Sequence, residues 1–451
     1  MRATTRGRII AGLAAAALLT SACLNSDDGG SDGGGDDGGG GTSGAGGSDP
    51  GDGVVTISGV FTGEEQKAFE ASFASFEEES GIDIQYTGNP DFATLISSQL
   101  SGNPPDMGVF PQPGLLLDLA ERGDVVPIDE FLDVPALEET LIPGFLDSVT
   151  AEDGAVYGAP VKLSAKSFVF VPAKAWEEGG YPTEFASVQE LMETAEQIEA
   201  DGREPWCIGY QDGPNTGWVG TDWLEEMVLR VAGPEVYDQW TSHEIPFDDP
   251  QIVEALDAYR ELIGEDAENV LGGPDGIVNT PFGEAGNPAF EDPPGCMMHR
   301  QGNFITGFFP KDVAANLDQE VSIFAFPGYE GGFDGQPMLG GGDTVALFNG
   351  DDQEAKDVME FLTSDEFGAE WAGIGGYLSP HTTFDTALYP DETTRRVAEV
   401  VASSDVFRFD GSDLMPGEVG AGSFWEESVK WAQGEVKSEE MLANVEATWP
   451  E

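Results

Sequence analysis

Trp206, Trp218 and Trp223 crowd one stretch of the chain around Asp222. An indole face stacks on C–H patches and a carboxylate accepts hydroxyl protons, so this grouping suits a polyhydroxylated, patchily apolar ligand. Each residue also has a plainer role open to it. Trp206 and Trp223 could equally be core, Trp218 less so because Gly217 and Gly220 flank it, and Asp222 could cap a helix running from Trp223 to Arg230. Asp91 carries the same two readings, helix cap or hydroxyl partner. Tyr377, Asp343 and Arg300 are further ligand candidates, with turn or ion-pair roles as their alternatives. No HExxH or P-loop pattern occurs, and the GxSxG spelling at Gly29-Gly30-Ser31-Asp32-Gly33 falls in the Gly, Asp and Ser run, so none of these supports another enzyme class. His243, His299 and His381 lack the spacing of metal ligands, so neither metal nor cofactor is expected. Paired carboxylates across a cleft could hydrolyse a glycoside, but acids are too abundant here for pairs to discriminate. Binding is the reading, and a glycosidase is its rival.

The elements that would position these residues follow an α/β pattern. Val54 to Val60 reads as a strand, Glu64 to Ser80 as a helix and Ile82 to Tyr86 as a second strand. Thr62 and Glu65 form a capping-box signature, Phe69, Phe73 and Phe76 share one helical face as core, and Gly81 follows the last turn. Asp91 opens a helix through Phe92, Leu95, Ile96 and Leu100, before a third strand at Met107 to Phe110. Strands joined by helices imply a parallel sheet whose ligand sits beyond the strands' carboxyl ends. Those ends are the loops Ser58–Gly63, Gly88–Asp91 and Pro111–Gly114, which bring in Thr62 and Gln112.

Farther along, Tyr157–Pro160 leads into apolar Phe168–Val171, a crossing into a second lobe, and Ser187–Ala200 is helical. The strand-like Val321–Phe326 and the Gly-rich run to Asp343 suggest a return, followed by a helix over Asp352–Leu362. Gly375–Pro380 reads as a third crossing, leaving Trp425, Met441, Leu442 and Val445 on second-lobe helices. The lobes are thus 54–160 with 328–380, and 161–327 with 381–451. A ligand cleft between hinged lobes follows.

Of 451 residues, 84 are Asp or Glu and 19 are Lys or Arg, a formal net charge of −65, which excludes nucleic acid as a partner. Setting aside the seven acids and three arginines before residue 54 leaves 77 acids against 16 bases, a body of net charge −61. That charge suits high salt, where self-repulsion is screened; a merely soluble acidic surface is the blander account. Arg2, Arg6 and Arg8 precede the apolar run Ile9–Leu19 and then Thr20-Ser21-Ala22-Cys23, an export signal over 1–22 too short to span a bilayer. The pattern resembles that of bacterial lipoproteins, which implies that Cys23 becomes the first mature residue and carries the lipid outside the cell; a buried N-terminal helix is the alternative. Residues 23–53, almost all Gly, Asp and Ser, read as a disordered tether with a reach of roughly 30 Å. In that oxidising compartment the remaining Cys207 and Cys296 are expected to pair, with two inert thiols as the other reading.

Several blocks in order carry a family resemblance: Phe61-Thr62-Gly63, Pro104-Pro105-Asp106, Pro111-Gln112-Pro113-Gly114, Pro205-Trp206-Cys207-Ile208-Gly209, Thr216-Gly217-Trp218 with Thr221-Asp222-Trp223, Gly233-Pro234-Glu235-Val236-Tyr237-Asp238, Cys296 with Met298, Arg300 and Gln301, and Gly376-Tyr377-Leu378-Ser379-Pro380-His381. Together they resemble an ABC-transporter sugar-binding protein of the α-glucoside type. The resemblance implies a two-lobed periplasmic-binding-protein fold (type II-like) with lobes joined by hinge crossings, a monomer that clamps a sugar, and delivery to membrane permease subunits. A non-sugar solute is the nearer alternative ligand.

Overall fold

In the computed structural model, which describes residues 50–151 and 153–450, ten strands are defined: β1 Val54–Gly59, β2 Asp83–Gly88, β3 Met107–Phe110, β4 Ala159–Ala165, β5 Phe168–Pro172, β6 Glu204–Trp206, β7 Cys296–Gln301, β8 Val321–Ala325, β9 Pro337–Leu347 and β10 Val406–Phe409. The export signal, Cys23 and the tether through residue 49 lie outside the described residues.

β2, β1 and β3 pair in parallel in that order, with Ile57 beside both Tyr86 and Met107. β1 needs two covered faces, and helices α1 Gly63–Ala71, α2 Ala74–Ser80, α3 Phe92–Leu100 and α4 Pro113–Glu121 contribute to them. The single helix expected over Glu64–Ser80 is broken in two. At Ser72 and Phe73 the backbone switches to tighter bonds, Ser72 N–H to Phe69 C=O at 3.0 Å and Phe73 N–H to Glu70 C=O at 3.2 Å. Phe73 thereby packs edge-on against Phe69, ring centroids 4.7 Å apart. Gly81, at φ 77°, ends α2 in the left-handed conformation that glycine adopts without strain.

β9 completes the first sheet. β3 and β4 run antiparallel to it and β10 parallel. The second sheet has the order β6-β7-β5-β8. Alternation along β5 sends Phe168 and Phe170 to one face with Phe309 and Ile323, and Val169 and Val171 to the other with Trp176 and Phe324. Cys207, just after β6, is joined by a disulfide to Cys296 at the start of β7, Cα–Cα 5.5 Å.

Three crossings connect the lobes. The chain leaves β4 and enters β5 through Lys166 and Ser167, so the first lobe runs to Ala165 and not to residue 160. β8 returns to β9 through residues 326–336. The third crossing differs from the expectation at Gly375–Pro380. That segment stays on the first lobe, where Leu378 C=O accepts from Leu163 N–H at 2.8 Å. Phe384, Tyr389, Val397, Val401 and Phe409 join the first core, whereas Met415, Val419 and Phe424 join the second. The crossing therefore falls at Asp410. Four residues of β10 hold the chain back by pairing with Pro337–Gly340, a tertiary partnership that its short pattern does not announce.

Candidate functional site

The carboxyl ends of β1, β2 and β3 converge on the lobe junction, as a parallel sheet requires. A cavity of about 380 Å³ opens there. Phe61, Thr62, Pro90, Gln112, Lys162 and Asp343 line it from the first lobe, and Asp212, Trp218, Phe282, Phe304, Phe308 and Trp425 from the second. Lys166, Asp410 and Asp413, at two of the crossings, line it as well.

Two buried lysines shape its floor. In β4 the register shifts between Pro160 and Lys162, and the extra residue re-aims the strand so that Lys162 stands opposite Asp343. Lys162 Nζ bonds Glu65 Oε1 at 2.6 Å, with Asp343 Oδ2 at 3.6 Å and the Phe61 ring centroid at 5.2 Å. This contact takes the carboxylate that the capping box would have used, and Thr62 makes no side-chain cap. Burial lowers the Lys162 pKa, but the charges of Glu65 and Asp343 outweigh it and the net shift is upward. Burial, with the Glu65 charge beside it, raises Asp343 to about 6 against the pull of Lys162. Lys166 Nζ bonds Asp222 Oδ1 at 2.9 Å and also Asp410 Oδ2, and lies 5.4 Å from the Trp218 ring centroid.

Trp218 and Trp425 supply indole faces. Trp218 opens the helix Trp218–Val231, is half-buried, donates its indole N–H to Asp212 Oδ2 at 3.0 Å, and meets Phe282 edge-on with ring centroids 5.2 Å apart. The residue before it must be glycine: Gly217 has φ 124°, and a Cβ there would stand 2.4 Å from the Trp425 carbonyl oxygen. Trp425 follows a π-helical turn over Val419–Phe424, and it is 7% exposed.

Of the residues singled out from sequence, Thr62, Gln112, Trp218 and Asp343 line the cavity. Five do not. Asp91 is exposed outside it and makes no cap bond; its neighbours Pro90 and Ala93 are the lining residues. Asp222 lies inside the Trp218–Val231 helix rather than at its start, so it is no cap, and it sits behind Lys166, buried, with burial first and the Asp410 charge next among the causes raising it to about 8. Trp223 is core, stacked on Tyr259 at 5.0 Å. Arg300 is buried behind it, bonding Glu226 Oε2, with its guanidinium 5.2 Å from the Trp223 ring. Tyr377 is 1% exposed and donates to Val161 C=O and Phe367 C=O within the first core.

Lys162, Lys166, Asp212, Asp410 and Asp413 escaped the sequence reading. The lysines left a signal: two cations at i and i+4 in the otherwise uncharged run Ala159–Pro172 of a strongly acidic chain. The acids left none, being a few among 84. Among the described residues no group of three His, Cys, Asp or Glu is arranged to hold a metal ion. Aromatic faces beside hydrogen-bonding carboxylates, amide and ammonium groups equip the cavity to hold a polar ring compound.

Comparison with known proteins agrees with this architecture. The family model for bacterial extracellular solute-binding protein matches residues 62–369. The osmoprotective compounds-binding protein GgtB of Synechocystis sp. is 41% identical over 397 residues, 88% of this chain and 92% of that protein. The alpha-glucosides-binding periplasmic protein AglE of Rhizobium meliloti is 33% identical, covering 88% of this chain and 86% of its own length. Among solved structures, the bacterial solute receptor AcbH superposes with a TM-score of 0.74 at 17% identity, over 87% of this chain and 97% of that one, a likeness of fold alone. With matched residues spanning both lobes, the chain belongs to the bacterial extracellular solute-binding proteins.

Proposed function

We propose that this protein captures a sugar, an α-glucoside or short oligosaccharide, between its two lobes and delivers it to the permease subunits of an ABC importer. The observation that carries the reading is the cavity itself. Trp218, Trp425 and Phe304 offer apolar faces, while Asp212, Asp343, Gln112 and Thr62 offer hydrogen-bonding groups. At about 380 Å³ it lies near the small end of the roughly 300–1,000 Å³ range of ligand sites, which favours a short saccharide. The names of GgtB and AglE, osmoprotective compounds and alpha-glucosides, support the same ligand class. In this reading the protein is a monomer held outside the cell by lipid on Cys23, and it binds its ligand without transforming it. Contacts from both lobes become simultaneous only on closure, so the sugar shifts the open-to-closed equilibrium.

Thermal-shift screening of mono- and oligosaccharides tests the ligand class. A ligand at 100 times its dissociation constant adds about 2.7 kcal/mol to stability, enough for a clear rise in melting temperature. A hit should return chemically intact and should shrink the particle in small-angle scattering. A panel without any hit defeats the reading, and hydrolysis of chromogenic glycosides would favour an enzyme. Cys23→Ser should abolish lipid labelling and release the protein from membranes.

A further inference from the structure

Resting on the glycoside reading, we propose that this cavity selects its ligand by charge: it admits uncharged glycosides and those bearing an ammonium group, and it rejects uronates and sugar phosphates. The cations among the described lining residues are Lys162 and Lys166, and neither is free. Lys162 is 3% exposed and held between Glu65 and Asp343 beside the Phe61 ring. Lys166 is 7% exposed and held between Asp222 and Asp410 beside the Trp218 ring. An anionic ligand would have to share either one with carboxylates already paired to it.

The acidic side chains outnumber them. Glu65, Asp212, Asp343, Asp410 and Asp413 all line the same cavity. Asp413 is half-buried on the third crossing, and among the described residues no side-chain hydrogen bond or ion pair holds it, although its backbone N–H donates to Asp410 Oδ1 at 3.2 Å. Burial and the neighbouring Asp410 charge push its carboxyl well above the usual range, and Lys166 only partly offsets them. A ligand ammonium would relieve that crowding, whereas a ligand carboxylate would add to it. The indole and phenyl faces of Trp218 and Phe304 act in the same sense, because their negative π faces attract a cation.

The test varies charge at one position of one ring. Methyl α-D-glucoside is compared with its 6-amino-6-deoxy, 6-uronate and 6-phosphate analogues by calorimetry at pH 7 and fixed ionic strength. The amine should bind at least as tightly as the parent. The uronate, close to it in size, should bind roughly a hundredfold more weakly, since like-charge juxtaposition costs several kcal/mol. Asp413→Asn, which keeps the side-chain shape, should narrow the gap between amine and uronate by about tenfold or more, because an amide cannot give up a proton to become the counter-ion of a ligand ammonium. A uronate or phosphate within tenfold of the parent, an amine more than tenfold weaker, or a gap unchanged in Asp413→Asn would overturn charge selection while leaving the glycoside reading intact. Silence from the parent and all three analogues, together with silence from the wider saccharide panel, would overturn both.

Discussion

Lys166 Nζ stands 2.9 Å from Asp222 Oδ1 and bonds Asp410 on its other side, so one ammonium at the first crossing ties a second-lobe helix to the third crossing. The backbone N–H of Lys166 also donates to Leu339 C=O of β9 at 2.8 Å. Lys166→Met would leave the buried Asp410 carboxylate without its counter-ion, and it should cost about 3–5 kcal/mol in urea unfolding at pH 7. The loss should shrink at pH 5, because without the lysine burial raises the Asp410 carboxyl and lets it take up a proton. Equal losses at both values would show that the lysine stem, and not its charge, is what matters.

The two candidate tryptophans should separate cleanly. Trp218→Ala should weaken ligand binding by about 1–3 kcal/mol through lost stacking, with the folded body retained. Trp223→Ala should instead cost about 3–5 kcal/mol of stability, because that ring is fully buried against Tyr259 and Trp206. Calorimetry and melting curves on both variants distinguish the roles, and a Trp218 variant of undiminished affinity would remove it from the site.

Asp343 makes stability depend on pH. Its folded pKa is about 6 against an ordinary 3.8, raised first by burial. Between those values the folded protein holds a proton that the unfolded chain has released, so this group's contribution is largest below that window and falls as pH rises through it. Asp343→Asn should flatten the part of the stability curve between about pH 4 and 6. A wild-type slope that persists in the variant would assign it elsewhere.

Cys207 and Cys296 are 89 residues apart in sequence. Closing a loop of that length restricts the unfolded chain by up to about 4–5 kcal/mol in the chain-entropy model. Peptide mapping of exported protein without reductant should recover them linked, and Cys296→Ser should lower the melting temperature. Two free thiols in exported protein would refute the pairing.

The body's net charge of −61 should make melting temperature climb from low to molar salt, as screening relieves self-repulsion. A flat response would favour a merely soluble acidic surface.

Local pattern carried much of the fold. β3 was legible to the residue, because four buried positions in a row between turn signals leave little room for another element. The three carboxyl-end loops followed from the order of strands and helices, and they brought Thr62 and Gln112 to the cavity. Trp218 was legible too, since flanking glycines leave an indole less packed than one inside an apolar run.

What chain order could not decide is which side of a wall a residue faces. Trp223 lies five residues after Trp218 on the same helix, and the partners that bury it, Tyr259 and Trp206, come from distant segments. Asp91 and Thr62 look like caps because their local neighbours permit it, yet neither makes the bond. A bulge at Val161 aimed Lys162 at Asp343, and β10 paired with β9 to shift the third crossing to Asp410. Local propensity fixes periodicity and turn chemistry, and these were in the sequence. Pairing register, bulges and the partners of buried charges are long-range choices, settled when the two sheets and their crossings packed together.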